Sequence, residues 1–307
     1  MSETTNEAAK HVEKKVPPGF FDFLFQPKFI VMLVIGLIAL ILLKTKKMKS
    51  GIKISLLLLS TFLFGIAGNI PADIFKKFAM HPSPMCAATK SLLYGFGMPF
   101  IVTLAVIFFL TLLGPKLFCG YVCPVGAVQE LISMWSEKLK IKRSKTNFTV
   151  ANTIRLSLFI VFIFVSATAI LYITFKGKVY PKSLYDYINP FHGLEFEAEK
   201  TLIGYMTHYI PFILTVIFSF KYYRPFCHFV CPIGLYSHFL EQISIFRISF
   251  KKKACTDCNI CVNEAPCTAM EDILKKSTLR PDCYACNKCI EVCPENALEI
   301  GIKKTEL

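Results

Sequence analysis

The sequence predicts an all-α integral membrane helical bundle of about five transmembrane helices, followed by a small cysteine-rich α+β domain. Three observations support this fold class. The chain is 54% hydrophobic and only 18% charged over 307 residues, which is a membrane composition. Its long apolar stretches all end before residue 221. Eight of its 13 cysteines lie between residues 255 and 293.

Five apolar stretches are the candidate spans. They cover residues 29–43, 54–70, 92–113, 154–175 and 203–220. A helix needs about 20 residues to cross a hydrocarbon core, so the third and fourth stretches are comfortable. The first, with fifteen residues, is the weakest, and one of the five could instead be re-entrant or interfacial.

A polar tail, residues 1–28, precedes the first stretch and mixes acids with bases. It predicts no cleavable signal, because a signal peptide has its apolar core directly after a short basic start. The first helix is then expected to act as the signal anchor. Residues 29–250 form the predicted transmembrane domain.

Flanking charges predict the orientation. Segments 44–53 and 137–145 carry five basic residues each, and they fall on one side of the membrane if all five stretches span. The positive-inside rule makes that side the cytoplasm. Loops 71–91 and 176–202 then face outward, and the C-terminal domain is expected in the cytoplasm at the inner membrane.

One short cysteine phrase occurs twice. "FCGYVCPVG" begins at Phe118 and "FCHFVCPIG" begins at Phe226. Each phrase follows an apolar stretch and precedes an amphipathic run that contains a glutamate, Glu130 or Glu241. The repetition indicates an internal duplication. We expect the phrases at the cytoplasmic ends of spanning helices and the amphipathic runs as interfacial helices.

The four phrase cysteines leave three interpretations open. Cys119 and Cys123, like Cys227 and Cys231, stand four residues apart, which places each pair on one helical face. Together they could hold a further cluster or a metal, or they could act as two dithiol couples. Alternatively, Cys-Pro-x-Gly could simply end one helix and turn the chain into the next.

Cysteines of the last domain, residues 251–307, have the spacing of iron–sulfur ligands. "CYACNKCIEVCP" from Cys283 is C-x2-C-x2-C-x3-C-P, and the run from Cys255 keeps that pitch for three cysteines before Cys267. In two-cluster domains the fourth cysteine of each run ligates the other cluster. The predicted [4Fe-4S] ligands are Cys255, Cys258, Cys261 and Cys293 for the first cluster, and Cys267, Cys283, Cys286 and Cys289 for the second.

Two features complete this domain. Residues 269–277 predict a short helix and residues 297–302 a strand. Zinc is the less favoured metal, because its four-cysteine sites usually pair two separated C-x2-C knuckles. Clusters of this kind pass single electrons, so the domain is expected to carry electrons and not to transform a substrate.

Together these features resemble a known family. Two Cys-x3-Cys-Pro phrases, the sequence Ile188-Asn189-Pro190 in the outer loop and the terminal two-cluster domain are similar to NapH-type membrane ferredoxins and to the membrane part of NosR-type regulators, over residues 54–300. The resemblance implies a membrane quinol dehydrogenase component, which passes electrons from the quinone pool to a redox partner protein. The chain differs from NapH-type proteins by its extra first stretch and by Cys86.

A second interpretation belongs to another class of function. Other members of this family are thought to assemble or maintain a metal centre in a respiratory enzyme, so an accessory or regulatory role stays open. Nucleotide-binding and catalytic-triad motifs do not occur in the sequence. Lysines lie beside apolar stretches, which predicts topology markers and lipid contact and no nucleic-acid partner.

The remaining candidate residues are less specific. Met80, His81, Met85 and Cys86 form a soft-ligand set that could bind a metal, although packing of Met80 and Met85 against the bilayer is the simpler role. His228 could tune a nearby centre, and His238 is expected to face lipid headgroups. Candidate proton acceptors for a quinol near the outer surface are His192, Glu195, Glu197, Tyr205, His208 and Tyr209.

Overall fold

The computed structural model describes residues 19–176, 184–194, 202–275 and 282–302. Within these residues the chain is mostly helical, and four helices are long and apolar enough to cross a membrane. They are Pro27–Lys44, Ser50–Asn69, Phe148–Thr168 and Leu202–Lys221. Four of the five predicted stretches therefore form helices of membrane length.

The third predicted stretch, residues 92–113, is not one helix. A helix ends at Tyr94, Gly95 has a φ of +87°, and a new helix of 16 residues begins at Met98. Glycine adopts such a left-handed φ without steric strain. The prediction that this stretch spans comfortably is wrong, whereas the first stretch belongs to an 18-residue helix that begins at Pro27.

Fifteen α-helices are described, and proline stands at the first or second position of six of them, where its missing N–H leaves no hydrogen bond unmade. In chain order they are α1 Phe20–Leu24, α2 Pro27–Lys44, α3 Ser50–Thr61, α4 Asp73–Lys76, α5 Pro84–Tyr94, α6 Met98–Leu113, α7 Pro124–Lys138, α8 Phe148–Lys176, α9 Leu184–Tyr187, α10 Leu202–Lys221, α11 Pro225–Phe229, α12 Pro232–Glu241, α13 Ile260–Glu264, α14 Ala269–Leu274 and α15 Lys288–Glu291. A π-helical turn at Phe62–Ile66 extends α3. A second π-helical turn, Phe118–Val122, contains the first part of the first phrase.

Helix α7 runs back along α3 inside the bundle. Lys53 Nζ contacts Glu130 Oε1 at 2.5 Å near one end of this contact. At the other end, a β-carbon at Gly65 would lie 3.4 Å from Cβ of Pro124. Lys53 and Gly65 are about 18 Å apart along a helix that rises 1.5 Å per residue. The first phrase therefore lies deep among the helices, and the prediction of an interfacial α7 is wrong.

The second phrase is placed in the same way against α8. Arg155 Nη1 on α8 donates to the carbonyl oxygen of Cys227 at 3.2 Å, and α12 returns along α8 and α6. Loops from the opposite end cover the phrases. Met80 lies beside Phe118, and Met85 is 1% exposed, so the prediction that these methionines face the bilayer is wrong.

The C-terminal domain contains a two-stranded antiparallel sheet and three short helices, α13 to α15. Strand β1, Phe246–Phe250, pairs with strand β2, Leu298–Ile302. The predicted helix within residues 269–277 and the predicted strand at residues 297–302 are confirmed by α14 and β2. Strand β1 precedes the predicted boundary at residue 251, so the chain enters this domain directly from the loop after α12.

Candidate iron–sulfur centres

The first predicted ligand set lines one pocket of the C-terminal domain. Its four thiols are those of Cys255, Cys258, Cys261 and Cys293. Between the first three cysteines, Asp257 and Asn259 have φ values of 52° and 57°. These left-handed residues curl the chain so that successive cysteines face the same pocket.

The second predicted set joins two chain segments. Burial and then the thiols of Cys286 and Cys267 raise the pKa of Cys289 well above its usual range. Burial, followed by Glu241, Cys267 and Cys289, does the same for Cys283. These four thiols are therefore within electrostatic reach of one another. Ala285 and Asn287 repeat the left-handed pattern of the first run, with φ values of 51° and 69°.

The donor sets suit polynuclear clusters better than single ions. Within the described residues, no three or more histidine, cysteine, aspartate or glutamate side chains are grouped to hold one metal ion. Each thiolate of a cubane binds a different iron, so its four cysteines need not converge on one atom. The thiols thus fit two [4Fe-4S] clusters, which would pass single electrons, and the assignment of individual ligands stays a prediction.

The glycine of each Cys-Pro-x-Gly sequence is required by the fold of the repeat. A β-carbon at Gly126 would collide with the carbonyl oxygen of Cys119, and one at Gly234 would lie 2.5 Å from that of Cys227. The second cysteine of each phrase precedes its helix with the same backbone angles, φ −67° and ψ 120°. The Cys-Pro-x-Gly part therefore has the same local structure in both phrases.

Each repeat also contacts the first cysteine of the other repeat. Gln129 Nε2 donates to Cys227 Sγ at 3.2 Å. Its equivalent 108 residues later (129 and 237, as 119 and 227) is Ser237, whose Oγ lies 4.0 Å from Cys119 Sγ. Exchange of this kind indicates a pseudo-twofold relation between the repeats.

The basic residue three positions before the first cysteine of each phrase also contacts the other repeat. Lys116 and Arg224 both have left-handed φ values, 44° and 48°. Arg224 Nη1 donates to the carbonyl oxygen of Cys119 at 2.6 Å, and Lys116 Nζ donates to that of Gly234 at 3.1 Å. The crossed contacts draw the four phrase cysteines into one buried region.

Burial makes the phrase thiols hard to ionise. Burial and then the neighbouring Cys227 raise the pKa of Cys119 to about 12, although Lys116 and Arg224 act in the opposite direction. Burial, followed by Cys119 and Cys227, raises the pKa of Cys123 well above its usual range. Without a bound cation, these thiols are neutral at pH 7.

A buried ion cluster ties α7 to α3 and to the second phrase. Glu130 accepts hydrogen bonds from Lys53 Nζ at 2.5 Å, Tyr223 Oη at 2.8 Å and Arg224 Nε at 2.9 Å. Burial alone would raise the pKa of Glu130, but Lys53 and Arg224 outweigh it and hold the pKa at about 2. Lys53 also donates to the carbonyl oxygen of Cys286 at 2.9 Å, which links this cluster to the second ligand set.

A second ion cluster surrounds Asp282, the residue before the last cysteine run. Its carboxylate contacts Lys116 Nζ at 2.5 Å, Arg155 Nη1 at 2.8 Å, His238 Nδ1 at 3.1 Å and His228 Nδ1 at 3.6 Å. Burial would raise the pKa of Asp282, but Lys116 and Arg155 outweigh it and hold the pKa well below its usual range. One carboxylate of the C-terminal domain thus binds groups from α8, α12, the second phrase and the residue Lys116 just before the first phrase.

Both histidines of this cluster are buried. His238 is 3% exposed, so the prediction that it faces headgroups is wrong; its physical partner is Asp282. Burial lowers the pKa of His228 to about 3, which leaves its imidazole neutral at pH 7. The tuning role of His228 stays a prediction.

Tyr284 inserts between the two repeats. Its ring centre lies 4.9 Å from Lys116 Nζ, 5.0 Å from Arg224 Cζ and 5.1 Å from the His228 ring. Its carbonyl oxygen would lie 2.7 Å from a β-carbon at Gly120. Gly120 and His228 occupy the same position of the two phrases, and they differ because a single C-terminal domain contacts the two repeats in different ways.

The soft-ligand set near the opposite end is not assembled. Met80 and His81 line a cavity of about 270 Å³, which Met85 and Cys86 do not line. Cys86 instead lies in the first turn of α5, where its N–H donates to Ser83 Oγ at 3.2 Å.

The predicted proton acceptors are only partly described. The rings of His192 and His208 lie 4.8 Å apart, and those of Tyr205 and Tyr209 stack at 6.0 Å. Glu195 and Glu197 lie outside the described residues.

Several buried charged residues were not among the predicted site residues. They are Lys53, Lys116, Arg155, Arg224, Arg247 and Asp282. A signal was available for most of them, because an ionisable residue within or beside an apolar stretch is a functional candidate by default. The identical spacing of Lys116 and Arg224 from their phrases was a second signal.

Comparison with known proteins finds similar sequences. A family described as "4Fe-4S binding domain" matches residues 96–143 and 206–253, one phrase in each match. Similar curated proteins include Regulatory protein NosR of Stutzerimonas stutzeri (29% identical, over 51% of this chain and 21% of that protein), the ferredoxin-type protein MauN of Paracoccus denitrificans (25%, over 52% and 50%) and the ferredoxin-type protein NapH of Haemophilus influenzae (25%, over 52% and 51%). The chain is homologous to NosR, NapH and MauN.

These matches confirm the resemblance drawn from the cysteine phrases. The chain spans about half the length of MauN and NapH and about a fifth of NosR. No solved structure matches it.

Proposed function

We propose that this protein is a membrane-bound iron–sulfur electron carrier that relays electrons between the quinol pool and a redox partner protein. The observation that carries the proposal is the docking of the second ligand set on apolar helices. Lys53 on α3 donates to the carbonyl oxygen of Cys286, and Tyr284 inserts between the repeats. Electrons from the membrane would thus have a connected path to the C-terminal domain.

The contacts of the basic loops support a cytoplasmic C-terminal domain at the inner membrane. Lys46 Nζ donates to the carbonyl oxygen of Asn296 at 3.5 Å, and Lys145 Nζ donates to that of Val262 at 2.5 Å. Both lysines belong to the loops that the positive-inside rule assigns to the cytoplasm. The redox partner would then dock on the exposed side of this domain.

An apolar cavity of about 790 Å³ supports access for a quinol. It opens between α8 and α10, and one wall includes Phe226, Phe229 and Val230 of the second phrase. Pockets of roughly 300–1,000 Å³ hold small organic ligands, which is the size of a quinone ring with its first isoprenoid units. Met206 and Ile210 of α10 line the cavity, whereas His208 does not.

Filling the cavity tests quinol access. Leu214→Trp places an indole on the cavity wall, and it should slow cluster reduction by a short-chain quinol in stopped-flow absorbance. Phe164→Trp is the matched control, since Phe164 is 70% exposed on α8. Dithionite should reduce both variants like the wild type. Unchanged quinol reduction in Leu214→Trp would exclude this entry route.

A second candidate is an accessory or regulatory protein that assembles or maintains a metal centre in a respiratory enzyme. The name of one relative, Regulatory protein NosR, favours it. This role needs no quinol turnover. Clusters that accept electrons from dithionite but not from quinol, together with a respiratory enzyme that lacks its metal in a deletion strain, would support it.

A further inference from the structure

We propose that Cys119, Cys123, Cys227 and Cys231 together hold one polynuclear iron–sulfur cluster, with two thiolates from each repeat. The family match assigns 4Fe-4S binding to each repeat separately. Each matched segment, however, contains only two cysteines, and a [4Fe-4S] cluster takes four cysteine ligands. A single shared cluster satisfies the ligand requirement with the residues present.

The crossed contacts assemble such a site. Gln129 of the first repeat donates to Cys227 Sγ, and Ser237 of the second repeat lies beside Cys119 Sγ. The thiols of Cys119, Cys227 and Cys231 all act electrostatically on Cys123, so the four lie within reach of one another. Their residues are 4–8% exposed. The site is closed to water and formed equally by both repeats.

Buried charge around the site has the sign that a thiolate cluster requires. Five buried basic side chains outnumber three buried carboxyl groups in this region, which leaves an excess of basic groups. The basic residues are Lys53, Lys116, Arg155, Arg224 and Arg247, and the acidic residues are Glu130, Glu241 and Asp282. Buried charge without compensation is strongly unfavourable. A cluster held by four thiolates carries net negative charge and would offset this excess.

The same thiols are not arranged to hold a single metal ion. Within the described residues they form no group that could hold one, and the eight cysteines of the C-terminal domain share that property. In this respect the four phrase thiols resemble the two predicted cluster sites.

The position of this cluster gives the proposed relay a third centre. Tyr284 contacts Lys116, Arg224 and His228 beside the four thiols and directly follows the predicted ligand Cys283. The shared cluster would therefore stand between the membrane interior and the second ferredoxin-type cluster. Its role as a relay rests on the proposed function, but its existence does not.

Metal content tests the proposal without quinol. The full chain is purified anaerobically in detergent and reconstituted with iron and sulfide, and then iron, acid-labile sulfide and zinc are counted. We expect about twelve irons and about twelve sulfides per chain. Cys227→Ser should retain about eight irons, and Cys86→Ser, a cysteine outside all three sets, should retain about twelve.

Two results would overturn the proposal. One is about eight irons in the wild-type protein, and the other is about eight irons with one zinc. The wild-type count decides the question even if Cys227→Ser fails to accumulate. A protein with about twelve irons whose clusters ignore quinol would contradict the relay and leave the shared cluster intact.

Discussion

The carboxylate of Asp282 should hold the C-terminal domain onto the helical bundle. It contacts Lys116 at 2.5 Å and Arg155 at 2.8 Å, and all three side chains are at most 1% exposed. Asp282→Asn removes the charge with almost no change in volume, which leaves two buried cations without their main partner. Removing one partner of a buried pair costs about 3–5 kcal/mol, or a shift of about 100- to 4,000-fold in the docking equilibrium.

Native-state hydrogen exchange, measured by mass spectrometry over residues 282–291, reports the loss of docking free energy in Asp282→Asn. The amides that face the bundle should exchange at least about 100-fold faster in Asp282→Asn. Glu299→Gln is the matched control in the same domain. Glu299 pairs with Lys251 at 2.8 Å, but the two side chains are 37% and 61% exposed, so its loss should cost about 1 kcal/mol or less.

Equal exchange rates in the two variants would refute this reasoning. They would mean that the buried ion cluster does not fix the domain, and that apolar packing around Tyr284 is sufficient. Faster exchange that is confined to the amide of residue 282 would also contradict this reasoning. Docking of the whole segment should depend on the ion pairs of Asp282 with Lys116 and Arg155.

Further predictions concern Glu130 on α7, Gly120 beside Tyr284 and the predicted cluster ligand Cys289. Glu130→Gln should lower the free energy of unfolding by about 3 kcal/mol. Because folding depresses this pKa from 4.5 to about 2, the stabilisation is full above about pH 4.5 and is lost only as pH falls toward 2. Denaturation in micelles at pH 5 and pH 7 should therefore give the same difference, and a change between these values would contradict the assignment. Gly120→Ala should cost about 1–3 kcal/mol through overpacking against Tyr284, whereas Gly51→Ala, with nothing within 4 Å, should not destabilise; similar hydrogen exchange in both would contradict the contact. Cys289→Ala should lose about four irons and destabilise the C-terminal domain, and full iron content would show that the ligand assignment is wrong.

Local sequence patterns were sufficient for the C-terminal elements. Helix α14 and strand β2 formed where the sequence predicted them, because each is set by the periodicity of a few neighbouring residues. The break before α6 was less accessible. Hydropathy depends on composition and ignores backbone angles. It therefore gave no sign that the helix would break at Gly95 within an otherwise apolar stretch.

The depth of the cysteine phrases could not be predicted from the amphipathic runs that follow them. A polar helix face looks the same in sequence whether it contacts water or a buried partner. Glu130 pairs with Lys53 from 77 residues away, and such a long-range pair leaves no local pattern. Assembly of the four phrase cysteines likewise depends on contacts between repeats, which a single sequence does not encode at short range.

Low-temperature EPR of the anaerobically purified protein, recorded before and after addition of a quinol, tests the central claim most directly. The account predicts that quinol generates the signals of reduced iron–sulfur clusters, and that Leu214→Trp weakens them while dithionite still reduces that variant fully. Clusters that dithionite reduces but quinol leaves unchanged would contradict a relay from the quinol pool and favour the accessory or regulatory role.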